Sequence, residues 1–230
     1  MGDPGMVMNA YYLLLGANAL VYGLWVYADL TKNQRLQARI QQNTHISVNN
    51  VYSGRWWTLL TAAFAHQDFT HILFNMFTMH TMCQILALVP GVTGAHVLSL
   101  ALGSGIAGNL SFYIQHRAGV KGSKNRMEGV QHFHASAIGA SGAVMGLSAV
   151  ATCFVPTMPM QIMFIPINIP LWAVTAGYFA FDSYYLGSQR SRTAHAGHLG
   201  GFAFGALSYL AYFKGLAPFG LWQMARRFFK

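Results

Sequence analysis

The chain has 230 residues, of which 54% are apolar and only 8% charged, with 14 Lys plus Arg against 5 Asp plus Glu. A water-soluble domain carries about a quarter charged residues, so this composition excludes an ordinary soluble enzyme, a disordered tail and a coiled coil, and points to a membrane protein. A formal charge of +9 confined to connections between apolar stretches is an orientation signal rather than a nucleic-acid footprint, and no nucleic-acid partner is expected.

A helix crossing a hydrocarbon core of about 30 Å needs roughly 20 residues. Taken in chain order, the first stretch of that length is 8–28, between Asp3 and Asp29. The run from Asp68 to Arg117 holds no charge and is divided by Pro90-Gly91 and Gly94 into predicted spans 71–89 and 95–113. Between Glu128 and Asp182 lie two more, 137–155 and 160–181, separated by Pro156-Thr157-Met158-Pro159, and a sixth covers 194–213. The expected fold class is an all-α membrane protein: one domain over 1–230, built as a compact bundle of six transmembrane helices. Lipid admits only helices or closed barrels, and these runs lack barrel alternation.

No Lys or Arg precedes Lys32, so the first stretch reads as a retained span rather than a secretory signal or transit peptide. The tail 214–230 mixes Leu221, Trp222, Phe228 and Phe229 with Arg226, Arg227 and Lys230 and reads as an interfacial amphipathic segment. Ten of the Lys and Arg residues, from Lys32 to Arg192, fall in the connections after spans one, three and five, against four in the tail. The positive-inside rule assigns the ten-residue face to the cytoplasm or matrix. Cys83 and Cys153 both lie inside apolar runs, which suggests no disulfide framework.

Polar side chains inside apolar spans are functional candidates by default. Three clusters stand out: His66, His71 and Asn75 at the opening of span two, Gly139-Ala140-Ser141-Gly142 at span four, and His195 and His198 at span six. Each opens an even-numbered helix, so an antiparallel path brings all three to one membrane face. Ser141 falls in a first helical turn, where unpaired N–H groups and the positive dipole end favour developing negative charge. Its hydroxyl needs a base, and a neutral imidazole suits that role. His198 is favoured over His195 because Gly201 and Gly205 share its helical face. That face can pack closely on the Gly142-x-x-x-Gly146 seam of span four. His71 and Asn75, at i and i+4, are candidate donors to a tetrahedral oxyanion beside the Ser141 backbone N–H.

No carboxylate is obviously placed as a third member. Asp182 closes span five on the same face and could orient a histidine, but a serine–histidine dyad is the simpler expectation. Neither a metal nor a cofactor is expected at the site. His-Glu-x-x-His zinc chemistry is excluded, since Glu128 is the only glutamate and no histidine stands at the needed spacing. His132-x-His134 and His195-x-x-His198 leave a histidine-lined metal or proton transporter as the rival reading.

These residues resemble the rhomboid intramembrane serine proteases. The resemblance lies in His-x-x-x-Asn at His71 to Asn75, Gly-x-Ser-Gly at Gly139 to Gly142, and His-x-x-Gly-x-x-x-Gly at His198 to Gly205, over 56–213. It implies a Ser141 nucleophile, His198 as general base and acid, and an oxyanion site including His71 and Asn75. The implied substrates are single-pass membrane proteins cut within or beside their transmembrane helix. The Gly-Ala-Ser-Gly-Ala-Val-Met and His-Leu-Gly-Gly stretches are most similar to the mitochondrial branch, which implies the mitochondrial inner membrane. That branch usually carries an additional amino-terminal span and a presequence, neither of which is visible here.

Two further positions depart from the family pattern. Trp57-Thr58, with Arg55 two residues earlier, stands where many members have Trp-Arg, and Met145 stands where bacterial members often place a tyrosine against the histidine. A catalytically inactive rhomboid-like binder would be expected to lack the nucleophile or the base. Pro166 and Pro170 around Asn168 are expected to weaken span five, so that it bends to admit a substrate helix.

Overall fold

Helix starts and stops follow local chemistry that the sequence carries openly. The computed structural model describes residues 4–161, 167–188 and 193–216. Helix α1 (Pro4–Leu30) leads into α2 (Gln34–Thr44), capped by the Asn33 side chain accepting from the Leu36 N–H. A short strand β1 (Ile46–Ser47) and two short helices, α3 (Val48–Tyr52) and α4 (Thr58–Thr61), continue into a 3-10 turn over Ala62–Phe64. Asp68 caps α5 (Phe69–Ala87) by accepting from the His71 N–H at 2.7 Å. Thr93 caps α6 (Gly94–Gly122) reciprocally with His96. Between these two helices Gly91 takes φ +88°, a left-handed turn that glycine adopts without strain.

The second half begins with α7 (Arg126–His134) and β2 (Ser136–Ala137), followed by α8 (Ser141–Phe154). A hairpin of β3 (Pro159–Gln161) and β4 (Asn168–Pro170) precedes α9 (Leu171–Tyr185). Last comes α10 (His195–Ser208), which runs into a π-helical turn over Tyr209–Phe213. Strands β1 and β2 pair antiparallel, Ile46 opposite Ala137 and Ser47 opposite Ser136, while β3 and β4 pair with Pro159 opposite Pro170.

Helix α8 is central: every residue from Gly142 to Ala151 is buried. It is walled by α5, α6, α9 and α10. A continuous apolar core joins Val7, Tyr11 and Leu14 of α1 to Met79 and Leu86 of α5, Leu100 of α6, and Leu147 and Phe154 of α8. A second cluster packs Ile46, Val48 and Val51 of the first connection on Phe112 and Tyr113 of α6. The outward faces are apolar as well, with Leu13, Leu20, Phe77, Tyr178, Leu207 and Leu210 exposed. An aqueous domain keeps such patches small.

The protein is mostly helical, as expected. Among the described residues two helices, Pro4–Leu30 and Gly94–Gly122, are long and apolar enough to cross a membrane by length and composition. The predicted span 160–181 is corrected most. Its first part is the β3–β4 hairpin, and the helix is Leu171–Tyr185, about 22 Å at 1.5 Å per residue. Prolines cannot donate to a helix ladder, and Pro170, with φ −64° and ψ 140°, stands just before α9 rather than kinking it. Pro166 lies outside the described residues, as does the predicted tail from 217 onward. The connections between the predicted spans carry helix as well: Glu128 sits in α7, where the Asn125 side chain accepts from its N–H.

Candidate active site

The site is built where three helices begin and one ends. Ser141 is the first residue of α8, His198 lies in the first turn of α10, and Asp182 is in the last turn of α9. The segment entering α8 is fixed from two sides, by the β1–β2 pairing and by the Gly139 N–H donating to the Ala62 carbonyl at 2.9 Å. The first connection is itself tied down. Arg55 Nη1 donates to Asn50 Oδ1 at 3.2 Å, and Asn50 Nδ2 donates to the His45 carbonyl at 2.8 Å. Arg55 thus anchors this loop although the family's Trp-Arg pair is not kept.

Glycines set the distance between α8 and α10. A Cβ on Gly201 would collide with the Gly142 carbonyl oxygen, and one on Gly205 with that of Gly146. The two backbones therefore touch at both steps of a four-residue repeat, the close approach that small residues permit. Ser141 and His198 lie one step outside that crossing. Ser141 Oγ and His198 Nε2 are 2.8 Å apart.

The carboxylate of Asp182 differs from the dyad expectation. Its Oδ1 and Oδ2 lie 3.0 and 3.1 Å from His198 Nδ1, and Oδ1 lies 2.6 Å from His195 Nδ1. A buried carboxylate accepts, so both rings carry their proton on Nδ1, and the His198 Nε2 lone pair faces the serine hydroxyl. The side chain of Asp182 is 2% exposed and that of His198 19%. His195 is a second donor to Asp182, stacked on Tyr185 at a 25° interplanar angle. The predicted end of span five at 181 hides this, because α9 runs on to Tyr185 and turns Asp182 inward.

On the other side of the serine, Gly139 has φ +116°, and a Cβ there would lie 2.6 Å from His71 Nε2 and 3.5 Å from Asn75 Nδ2. Asn75 lines the same cavity as Ser141, Met145 and His198, whereas His71 borders the Gly139 backbone behind it. This cavity, about 1180 Å³, opens between α5 and α9 and is lined by Phe74 and Phe77 on one side and by Tyr178 on the other.

His66 has a place that sequence spacing did not assign. Its Nε2 accepts from Asn75 Nδ2 at 3.0 Å and from the Ala140 N–H at 3.4 Å, and its ring meets His71 edge-on. A backbone N–H can only donate, so the His66 proton sits on Nδ1 and the Asn75 amide must point its NH₂ toward Nε2. Burial, with the His71 ring as the second cause, pushes the His66 imidazole down to about 3. The Thr70 hydroxyl and the His71 N–H hold the Asp68 carboxyl below its usual range. The available signal for His66 was its position two residues before the Asp68 cap, where the chain reverses over the first turns of α5.

Together these features define a class: a mostly helical protein with a hydrogen-bonded serine–histidine–aspartate relay mounted on helix ends beside an apolar cavity. The Rhomboid domain family matches residues 53–215. RHOMBOID-like protein 12, mitochondrial, of Arabidopsis thaliana is 29% identical over 207 residues, covering 88% of this chain and 58% of that protein. Rhomboid protein 1, mitochondrial, of Saccharomyces cerevisiae is 26% identical over 203 residues, covering 86% of this chain and 52% of its own length. YdcA of Bacillus subtilis is 31% identical over 133 residues, which is 57% of this chain and 57% of YdcA. The chain thus spans little more than half the length of these relatives. It belongs to the rhomboid family and is similar to the mitochondrial branch. Members of this family are in general intramembrane serine proteases.

Proposed function

We propose that this protein is an intramembrane serine endopeptidase that cleaves single-pass membrane proteins, and that it resides in the mitochondrial inner membrane. Helices α1, α5, α6, α8, α9 and α10 are the six spans, with the relay toward the basic, matrix-side face. The exposed apolar faces support this placement, as do the mitochondrial names of two relatives.

The observation carrying the reading is the 2.8 Å contact between Ser141 Oγ and His198 Nε2. Ser141 Oγ attacks the scissile carbonyl carbon while His198 Nε2 takes its proton. The imidazolium so formed keeps its Nδ1–H on Asp182, which stabilises the charge without taking the proton. Negative charge gathering on the carbonyl oxygen is met by the Ser141 backbone N–H and the Asn75 amide, with His71 alongside. His198 then protonates the departing amine and the C–N bond breaks. In the second half-reaction, water loses a proton to His198 and attacks the acyl ester, returning the proton to Ser141. The substrate helix must unwind locally to expose a carbonyl, so Gly or Pro near its end favours cleavage.

Purified protein incubated with a model single-pass substrate, beside Ser141→Ala and His198→Ala, tests the assignment. Cleavage and labelling by a fluorophosphonate should both vanish in the variants. Normal cleavage by either variant refutes the mechanism.

A further inference from the structure

Away from the relay, two histidines face each other across a helix–helix contact. His116, near the end of α6, and His132, on α7, bring their Nδ1 atoms to 3.2 Å. The chain makes room for this pair. Gly119, three residues after His116, leaves its backbone bare beneath the His132 ring, and a Cβ there would lie 2.6 Å from ring atoms. Phe112, one turn before His116, packs on that ring with centroids 4.2 Å apart. His134, the sequence partner of His132 in the His-x-His pattern, is exposed and turns its ring edge-on to Phe133. A cavity of about 220 Å³ adjoins the pair, and His195 is part of its wall.

We infer that His116 and His132 bind a divalent transition-metal ion such as Zn²⁺, and that its binding slows the relay; the second half rests on the protease reading. Two imidazole nitrogens bound tetrahedrally at 2.0–2.1 Å lie about 3.3 Å apart, so the 3.2 Å separation is already that of two ligands on one ion. As the structure stands, one ring donates its Nδ1–H to the other. Binding requires that this proton move to Nε2 of the same ring and that the two rings tilt until their Nδ1 lone pairs converge beside the N–N line, after which both neutral rings offer a lone pair to the metal and no proton is released. Among the described residues no third His, Cys, Asp or Glu completes a ligand group. Water fills the remaining positions, which makes this an exchangeable site with one protein ligand fewer than the usual three of an open zinc site. Imidazole ligands select zinc, copper or nickel over magnesium or calcium.

The consequence for the relay is electrostatic. His195 borders this cavity and donates to Asp182, which in turn holds His198. A divalent cation here opposes the positive charge that His198 acquires in the transition state.

The test uses the untagged, chelator-stripped chain in detergent. Co²⁺ is titrated and read by its visible absorption, then displaced by ZnCl₂. His132→Phe, which keeps an aromatic ring over Gly119, and Gly119→Ala, which displaces that ring, should each weaken binding by at least about tenfold. His134→Ala should bind as the native chain does. Zn²⁺ should slow substrate cleavage by the native protein, reversibly with EDTA, and leave the His132→Phe variant unaffected. A native chain that takes up no Co²⁺ or Zn²⁺, or equal uptake by the His132→Phe variant, overturns the site. Binding without slowed cleavage overturns its effect on the relay. A chain that binds metal but cleaves nothing under any condition counts against the protease reading and leaves the site standing.

Discussion

Asp182→Asn separates a three-member relay from a dyad. The native carboxylate accepts from His195 at 2.6 Å and from His198 at 3.0 and 3.1 Å. An asparagine with its oxygen at the Oδ1 place leaves one neutral acceptor shared by His195 at 2.6 Å and His198 at 3.0 Å, and puts its NH₂ at the Oδ2 place, 3.1 Å from the same His198 Nδ1. The NH₂ opposes the Nδ1–H and favours the other tautomer of His198, in which the proton sits on Nε2 and the lone pair facing Ser141 is lost. A hydrogen bond to a charged group contributes about 1.5–3 kcal/mol, so its loss alone lowers kcat roughly 10- to 150-fold. With the wrong tautomer added, the expected loss is about 10²- to 10⁴-fold. Cleavage of a model single-pass substrate should show kcat falling with KM little changed, and ¹⁵N shifts of the His198 ring should report the exchanged tautomer. A variant within about threefold of native kcat, with the His198 tautomer unchanged, would show that Asp182 serves only as structure.

Three further outcomes follow from the same geometry. Gly201→Ala puts a methyl into the Gly142 backbone, so the α8–α10 crossing must open. A displacement of about 1 Å costs about 10²-fold in activity, whereas Gly177→Ala, which meets nothing within 4 Å, should leave cleavage and melting temperature nearly unchanged. Asn75→Ala removes an amide that lines the cavity with Ser141 and should lower kcat about 10²- to 10³-fold with little change in KM. Acid should destabilise the fold, because burial holds His66 down to about 3 and His45 down to about 4. Between pH 6.5 and those values the unfolded chain binds protons that the folded chain does not, so stability falls as pH falls. At pH 5.5 the loss is about 1.4 kcal/mol per histidine. Melting in detergent should decline from pH 7.5 to 5.5, and the decline should be shallower in His45→Gln.

Much of this arrangement was legible because it rests on local rules. Pro90-Gly91 and Gly94 mark the α5–α6 boundary, and the four-residue glycine repeat of α10 identifies the face that meets α8. Ser141 and His198 were readable since each stands beside such a glycine. Asp182 was obscured because the charge-free run was ended at the charge itself. A carboxylate paired with two rings loses the cost that usually excludes it from a helix interior, and α9 continues past it to Tyr185. The β3–β4 hairpin was invisible for the converse reason. An apolar run reads as helix by hydropathy, and only the pairing of Pro159 with Pro170 across the hairpin gives its prolines a place. His66 and Asn75 are nine residues apart, a separation with no helical or strand period, so their contact needs the turn at Asp68 to exist first.

On the proposed membrane placement, the division of labour between helices follows from how lipid weakens the hydrophobic drive. Between helices in a bilayer there is little apolar surface to remove from water, so association depends on close packing and polar contacts. Helices α6, α8 and α10 meet that demand with bare backbone: a Cβ on Gly108 would lie 2.6 Å from the Gly197 carbonyl oxygen, and Gly142 and Gly146 stand against Gly201 and Gly205. Such contacts admit little sliding, because each step of register is a backbone collision. The Ser141–His198 distance is therefore fixed by main-chain geometry rather than by the rotamers of large side chains. The opposite wall is built differently, with Phe74 and Phe77 of α5 and Tyr178 of α9 facing a wide cavity rather than one another. On the proposed function, a substrate helix entering from lipid would meet side chains that can turn aside, while Ser141 and His198 are held by the part of the bundle that cannot.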